Sequence, residues 1–418
     1  MIDVSRRTLR NGLRVAAIPI AGLRSVSVLL AMEAGQFFEP AGRPGVARLV
    51  AQAMLRGTTS RDARAWSDAL DGLGASARLD VGSHAAVFSG QCLADDLGAF
   101  LDLMADTVLR PALAPEALEF VRSRALADLE EAKKDTRSVA DQTWRELVYP
   151  MGHPFRTRSV GDEEVVRSAT IDEIRAYHRT GIHASGSVLV VAGALDAGRA
   201  FEIADRAFGP WSGGDKLNRL VGPVALDGPK RRAVVVPDKT QADVVLGWPG
   251  LPRTDPRFTK AQVANMVFAA DTFASRAGQV VRDELGLAYY VFSTISGTAA
   301  QGPWTVRMGV NPENVERAIA VTFTELKKIR DGAVADDDLA LARDKLVGEL
   351  EVGRESPSGV AGMVLEAELF HLGDDHLDRY PRDLRAVTKA DVVAIASELL
   401  PIDRYALAIA GPEIPAAS

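Results

Sequence analysis

The sequence predicts an α+β fold of two tandem homologous domains, each with a mostly antiparallel sheet flanked by helices. Residues 170–193 and 388–411 share one pattern: a threonine, an amphipathic stretch, and an apolar strand that ends in Ala-Gly. Both ends of the two stretches are separated by 218 positions. In each half, two strand-like runs precede helical patterns and a returning strand, an order typical of α+β domains. We therefore infer a tandem duplication.

A dense cluster of glycine and proline lies between Phe208 and Lys230 and divides the 418-residue chain almost in half. Such clusters between structured regions are typical of linkers. We predict an N-terminal domain at residues 1–210, a linker at 211–227 and a C-terminal domain at 228–418.

Short apolar runs open each half of the chain. They occupy residues 13–20 and 25–32 in the first half, and residues 233–237 and 243–248 in the second. Alternating or continuous apolar runs of this length favour β-strands. We interpret each pair as hairpin-like.

Helical patterns follow these strands. Apolar residues recur at helical spacing and indicate one buried helix face at Val46, Leu49, Val50, Ala53 and Met54. Residues 116–134 form a second, longer helical pattern. Thr170-x-x-Glu173 and Thr388-x-x-Asp391 are capping-box signals, and each predicts a short helix before the terminal strand of its half.

Composition excludes some classes of function. The chain has 49 lysines and arginines against 56 aspartates and glutamates, a formal net charge of −7. This weakly acidic balance argues against a nucleic-acid partner, because binders of nucleic acid carry a basic footprint. The longest apolar runs, such as residues 188–195, are too short to cross a bilayer, so we expect no membrane span.

The N-terminus carries paired arginines, Arg6 and Arg7, like a twin-arginine signal, but no suitable apolar segment follows them. We therefore expect a cytoplasmic location, and a periplasmic one stays open if a leader has been removed. Cys92 is the single cysteine, so no internal disulfide can form.

The common catalytic motifs are missing from the sequence. It contains no Gly-x-x-x-x-Gly-Lys, no Gly-x-Gly-x-x-Gly and no Gly-x-Ser-x-Gly. A helical zinc pair needs histidines at i and i+4, whereas His178 and His183, like His371 and His376, are five positions apart. We therefore predict no metal site formed by this chain alone.

The first predicted helix nevertheless has a familiar setting. Residues 35–39 read GQFFE, residues 45–52 read GVARLVAQ and residues 57–58 read GT. This arrangement resembles the active-site helix of the pitrilysin/insulinase-type metallopeptidases, which carry His-x-x-Glu-His there. The motif positions in this sequence are Arg48, Ala51 and Gln52. The family's third ligand, a glutamate, aligns near Ala127, so the resemblance implies a degenerate zinc motif.

A second motif lies in the other half. Residues 282–289 read RDELGLAY and resemble the Arg-x-x-x-Gly-Leu-Ala-Tyr segment of the same family. The resemblance, which extends over residues 8–412, implies that Arg282 and Tyr289 bind the substrate and the oxyanion. In two-chain members these residues act in trans, at a zinc held by the other subunit. A guanidinium and a phenol suit that task, because both are hydrogen-bond donors.

The resemblance therefore implies a clamshell half that serves as the non-zinc subunit of a heterodimeric zinc metallopeptidase. The chain would bind no cofactor itself and would be inactive alone. The zinc would belong to a homologous partner subunit, and the substrates would be peptides. Two alternatives stay open: an inactive scaffolding relative, like the core subunits of respiratory complexes, or a peptide-binding module that works alone. The Arg282 and Tyr289 segment favours the peptidase subunit.

Overall fold

The computed structural model describes residues 2–214 and 221–414. Its strands are β1 (Ser5–Thr8), β2 (Arg14–Pro19), β3 (Ser25–Met32), β4 (Ser76–Val81), β5 (Ala86–Leu93), β6 (Val188–Gly193), β7 (Lys230–Val235), β8 (Ala242–Pro249), β9 (Ala288–Ile295), β10 (Pro303–Val310) and β11 (Ala406–Gly411).

The α-helices follow the same chain order. They are α1 (Val46–Met54), α2 (Ala63–Gly72), α3 (Leu97–Leu109), α4 (Pro115–Lys134), α5 (Thr136–Val148), α6 (Glu163–Ser168), α7 (Ile171–Gly181), α8 (Ala197–Phe208), α9 (Phe258–Phe268), α10 (Val315–Arg330), α11 (Asp336–Gly353), α12 (Pro357–Leu369), α13 (His376–Ala386) and α14 (Lys389–Leu399). Short 3₁₀ turns occupy Gln36–Phe38, Ala94–Asp96 and Pro312–Asn314, and Gly278–Glu284 is a π-helical segment.

The strands form two sheets of matching topology. The first has the order β1-β2-β6-β3-β5-β4 and the second has the order β7-β11-β8-β10-β9. Within the described residues, each sheet has one parallel pair, β2 with β6 and β7 with β11, and its other neighbours are antiparallel. Strand β1 is an additional edge in the first sheet. The predicted α+β fold with two homologous, mostly antiparallel sheets is confirmed.

The duplication is visible in the position of the last strand of each half along the chain. Shifted by 218 positions, Val188–Gly193 falls on Ala406–Gly411. The preceding helices, α7 and α14, begin after Thr170 and Thr388. Each threonine side chain accepts a hydrogen bond from the backbone N–H three residues on. Both predicted helix starts are therefore confirmed, but the capping box is complete only at Thr388, because the Glu173 carboxylate accepts hydrogen bonds from Arg43 instead.

The predicted hairpin-like pairs are wrong, although their strands exist. Strand β6 pairs with both β2 and β3, and β11 pairs with both β7 and β8, so the returning strand separates the two expected partners. Every residue of β6 and of β11 is buried. A strand that is apolar along its whole length is stable only where both faces are covered, which is the centre of the sheet.

The described residues form two compact units, and each unit draws on separated parts of the chain. The first unit comprises residues 2–129, 157–214 and 352–377, and the second comprises residues 130–156, 221–351 and 378–414. Helix α12 thus belongs with the first sheet and α5 with the second. The predicted division into 1–210 and 228–418 did not include this exchange of segments. Residues 215–220 of the predicted linker lie outside the described residues.

The first sheet is covered on both faces, because successive residues of its strands point in opposite directions. On one face, side chains such as Val15, Val28 and Val191 join the apolar core that contains α1, α3 and α8. The other face packs against α12. All five apolar residues predicted for the first helix are at most 1% exposed, which confirms that helix face.

The second sheet has an apolar core formed with α9, α10 and α14. Helix α5 packs against β8 and β11 of this sheet. Its Trp144 is fully buried, and Nε1 of that indole donates a hydrogen bond to the carbonyl oxygen of Ala406 at 3.1 Å. Within the described parts of the chain, no helix is both long enough and apolar enough to span a membrane.

Candidate functional site

The segment from Arg282 to Tyr289 is a helix end that turns into the edge strand β9. The π-helical segment ends at Glu284, and the N–H of Leu285 donates back to the carbonyl of Val280 at 3.1 Å. Gly286 follows with φ of +60°, a left-handed conformation that glycine adopts without strain. The turn therefore brings the two ends of the motif together, whereas a continuous helix would stack them along its axis.

Arg282 and Tyr289 lie side by side in the second unit. The Nε of Arg282 donates to the backbone carbonyl oxygen of Tyr289 at 3.1 Å, and its Nη1 donates to the Asp283 carboxylate. The guanidinium lies over the Phe273 ring, with Cζ 4.6 Å from the ring centroid. The hydroxyl of Tyr289 donates to Oδ1 of Asn311 at 3.2 Å. The structure thus assembles the predicted pair and orients each member.

These side chains are accessible to a ligand. Tyr289 is 62% exposed, Phe273 is 66% exposed and the Arg282 side chain is 33% exposed. Exposed aromatic rings beside a guanidinium offer both an apolar surface and directed donors. Such a surface can bind a polypeptide through its carbonyl groups and its side chains together.

Phe273 and Asn311 are the members of this site that the sequence prediction missed. Phe273 precedes Arg282 by nine positions, and the sequence alone does not show that its exposed ring lies against the Arg282 guanidinium. Asn311 directly follows Val310, which pairs with Ala288 across β9 and β10. The register shifts between Gly309 and Val310, so Tyr289 has no partner in the ladder, and its hydroxyl reaches the Asn311 side chain just past the end of β10.

Helix α1, which carries the three positions predicted to correspond to a zinc motif, begins at a buried carboxylate. Oε1 of Glu39 accepts hydrogen bonds from the backbone N–H groups of Gly45, at 2.7 Å, and Ala47, at 3.0 Å. A negative charge at a helix N-terminus is stabilising, because the first N–H groups have no partner within the helix. This cap stabilises the start of the helix without any metal ion.

The residues at the three motif positions do not fit a zinc ion. Nη2 of Arg48 forms an ion pair with Oδ2 of Asp128 at 2.6 Å. Ala51 is buried and offers no donor atom. The Nε2 of Gln52 donates to the carbonyl oxygen of Leu79 at 2.9 Å. A guanidinium repels a cation and a methyl group cannot bind one, so this helix lacks the donor set of a zinc site.

The region of the third family ligand gives no substitute. Ala127, Glu130 and Glu131 are exposed on α4, and Glu130 pairs with Lys133 at 2.6 Å. Within residues 2–214 and 221–414, no group of three or more histidine, cysteine, aspartate or glutamate side chains is placed to hold a metal ion.

Comparison with known proteins supports the same family on both halves of the chain. The sequence profile described as "Insulinase (Peptidase family M16)" matches residues 14–152. The profile described as "Peptidase M16 inactive domain" matches residues 168–346. Together with the two α+β units of matching sheet topology, these matches define the protein as peptidase-like. The chain belongs to the M16, or insulinase, peptidase family.

Its relatives cover almost the whole chain. A protein of Streptomyces coelicolor named an uncharacterized zinc protease is 26% identical over 98% of this chain and 90% of its own length. A Mycobacterium tuberculosis protein with the same description is 26% identical over 97% of this chain and 93% of its own.

Two solved structures share the fold. One is a peptidase M16 inactive domain from Pseudomonas fluorescens, with a TM-score of 0.93 and 22% sequence identity. The match covers 100% of this chain and 99% of that chain. The other is a protease from Helicobacter pylori, with a TM-score of 0.92 and 16% identity, covering 99% of this chain and 100% of its own.

Proposed function

We propose that this chain is the non-zinc subunit of a heterodimeric zinc metallopeptidase and supplies Arg282 and Tyr289 to bind peptides at the partner's zinc site. One combination of observations carries the proposal. An M16 family chain bears arginine, alanine and glutamine where the zinc motif belongs, yet presents an exposed and oriented arginine–tyrosine pair. A scaffold would need neither the exposure nor the orientation of that pair.

The pair is equipped to bind a carbonyl oxygen or an oxyanion. Nε and Nη1 of Arg282 have protein acceptors, while Nη2 has none among the described residues and can point its donors at a substrate. The hydroxyl of Tyr289 has a single proton, which it donates to Oδ1 of Asn311. When a substrate binds, its carbonyl oxygen would replace Asn311 as the acceptor of that hydrogen bond. Fixed donors of this kind stabilise the developing charge, and loss of one typically costs about 3 kcal/mol of barrier.

The test is reconstitution with a zinc-bearing homologue that carries His-x-x-Glu-His, ideally one encoded beside this chain. Neither chain alone should hydrolyse a fluorogenic peptide, and the mixture should. Arg282→Ala or Tyr289→Phe should slow the mixture by about 30- to 1,000-fold, because a charged or directed contact to the substrate is lost. The zinc content of the mixture should not change.

The matched control is Arg317→Ala, which removes an exposed arginine from α10 in the same unit that has no hydrogen bond or ion pair with Arg282 or Tyr289. That variant should retain the full rate. If Arg282→Ala and Tyr289→Phe also retain it while the two chains still assemble, the chain is a scaffold. If the isolated chain binds peptides tightly but no mixture is active, it is a peptide-binding module.

A further inference from the structure

A cavity in the first unit lies between helices α1 and α4, beside the degenerate zinc motif. Its volume is about 220 Å³. Two motif positions contribute to its wall, Arg48 and Gln52. The rest of the lining comes from α1, from the turn that follows it and from α4, namely Leu49, Leu55, Arg56, Phe120, Val121, Arg124, Ala125 and Asp128.

The charges around this cavity are unequal. Three guanidinium groups and a single carboxylate line it, which leaves a local charge of about +2. Asp128 is already paired with Arg48. The guanidinium of Arg56 lies on the face of Phe120, with Cζ 4.0 Å from the ring centroid. Within the described residues, Arg124 has neither a hydrogen bond nor an ion pair.

The rest of the wall is apolar. Among the lining residues, Leu49, Val121 and Ala125 are buried and Phe120 is 41% exposed. Cavities of about 150 Å³ already accommodate a benzene ring, so this one has room for a leucine-sized or ring-sized group. A bare inorganic anion would leave the apolar wall in contact with water. The lining fits a ligand with an apolar body and one negatively charged end.

We propose that this cavity binds the terminal carboxylate of an organic ligand whose adjacent apolar side chain fills the apolar wall. Arg124 and Arg56 supply the charge, and a guanidinium fork matches a carboxylate in two parallel hydrogen bonds. This carboxylate is the C-terminus of a peptide or belongs to a small organic acid. The site lies within one unit of this chain and needs neither a metal ion nor a partner subunit.

Calorimetric titration of the full-length chain distinguishes these sources. The probes are N-acetyl-leucyl-phenylalanine, the same dipeptide as its C-terminal amide, and 3-phenylpropionate. We expect the dipeptide acid to bind at least about ten-fold more tightly than the amide, because a hydrogen bond to a charged group is lost in the amide. Binding of 3-phenylpropionate with equal affinity would assign the site to small organic acids.

Three variants locate the binding. Arg124→Ala should weaken acid binding by about ten-fold or more, since it removes an unpaired guanidinium. Asp128→Asn should strengthen it by about three-fold or more, because it removes a competing carboxylate and releases Arg48. The control is Arg64→Ala, at a 91% exposed arginine on α2, which should leave the affinity unchanged.

The opposite signs of Arg124→Ala and Asp128→Asn separate a ligand effect from damage to the fold, because unfolding weakens binding in both. Thermal melts should show all three variants folded, since the altered side chains are partly or fully exposed. The proposal is overturned if no acid probe binds at millimolar concentration, if acid and amide bind equally, or if Asp128→Asn weakens binding.

Discussion

At the scale of single residues, the three positions that the sequence resemblance aligns with a zinc motif make contacts within the protein. Arg48 is held by Asp128, Gln52 is held by the backbone of β4, and the Ala51 methyl group is buried in the core. Each contact satisfies the side chain without any metal ion. The helix therefore retains its apolar face and its N-terminal cap while its motif residues serve the protein's own packing.

The first prediction concerns metal content. The purified chain should bind no stoichiometric zinc after dialysis, measured by inductively coupled plasma mass spectrometry. A positive control is the double variant Arg48→His with Gln52→His, which places two imidazoles at i and i+4 on one helix face and should gain zinc affinity. One tightly held zinc in the unaltered chain would contradict the fit of these residues.

A second prediction concerns the chemistry of Arg282. In the reconstituted peptidase, Arg282→Lys should restore little of the rate lost in Arg282→Ala, because an ammonium lacks the planar donor fork. It would also lose the stacking geometry over Phe273. The defect should appear in kcat if the side chain binds the oxyanion, and in KM if it binds the ground-state peptide. Full rescue by lysine would show that only the charge matters.

Parts of this site could be predicted because they are local in sequence. Arg282 and Tyr289 belong to one short motif, and Gly286 between them indicates a turn. Asn311 is 22 positions from Tyr289 and reaches it only through the pairing of β9 with β10. The cavity beside Arg48 depends on how α4 packs against α1. Contacts between distant segments leave no periodic signal in the sequence.

At the scale of elements, helix α5 shows how a short amphipathic segment is fixed to a sheet. Its N-cap Asp135 accepts from the N–H of Ser138 at 2.9 Å. Asp141 then bridges two arginines, binding Nε of Arg145 at 2.7 Å and Nη2 of Arg307 at 2.6 Å. Because Arg307 belongs to β10, this carboxylate connects the helix to the second sheet.

A third prediction follows from that carboxylate. Burial alone would raise the pKa of Asp141, but the guanidinium groups of Arg145 and Arg307 outweigh burial and lower it below the usual 3.8. Asp141→Asn should therefore reduce the free energy of unfolding at pH 7 by about 3 kcal/mol, because two largely buried guanidinium groups lose the carboxylate that neutralises them. Urea unfolding measures this loss.

The pH dependence has a defined sign. A lowered folded-state pKa gives stability that is present above the unfolded value and is lost as the pH falls through the folded value. The difference between Asp141→Asn and the unaltered chain should therefore be full at pH 7 and should shrink below about pH 4. Asp68→Asn is the control, since its pair with Arg64 is exposed and should contribute less than about 0.5 kcal/mol.

The strand order could be predicted only in part. The apolar runs locate β2, β3, β6 and their counterparts, and the fully apolar β6 and β11 are typical of central strands. Adjacency in sequence nevertheless favoured hairpins between β2 and β3. The parallel pairing of β2 with β6 joins segments more than 150 residues apart. Burial of the most apolar strand outweighs the entropic advantage of local pairing.

At the scale of the whole molecule, the duplicated halves exchange helical segments. Residues 352–377 belong to the first unit, and residues 130–156 belong to the second. The constant offset of 218 positions predicts the duplication but gives no sign of the exchange. The local sequence of α5 and α12 contains no signal for the sheet that each helix covers, because their partner strands lie far away in the chain.

The final prediction is that the chain cannot be divided into two independent halves near the linker. A fragment of residues 1–227 lacks α12, whose Val360, Val364 and Leu365 are at most 6% exposed against the first sheet. Burial of three such side chains contributes about 5–9 kcal/mol, which is comparable to the whole stability of a typical domain. The fragment should therefore aggregate or unfold, as measured by light scattering and circular dichroism.

Two further samples separate loss of α12 from loss of chain continuity. Co-expression of residues 1–227 with residues 228–418 should restore a folded complex, because each fragment then supplies the helix that the other unit lacks. A protease site inserted between the exposed residues Gly222 and Pro223 should allow the folded chain to be cut without unfolding. If the isolated fragment 1–227 is instead monomeric and melts at the temperature of the intact chain, α12 contributes little to the stability of the first unit. Since cutting preserves every buried contact and truncation removes one face of a sheet, only the truncated chain should lose its fold.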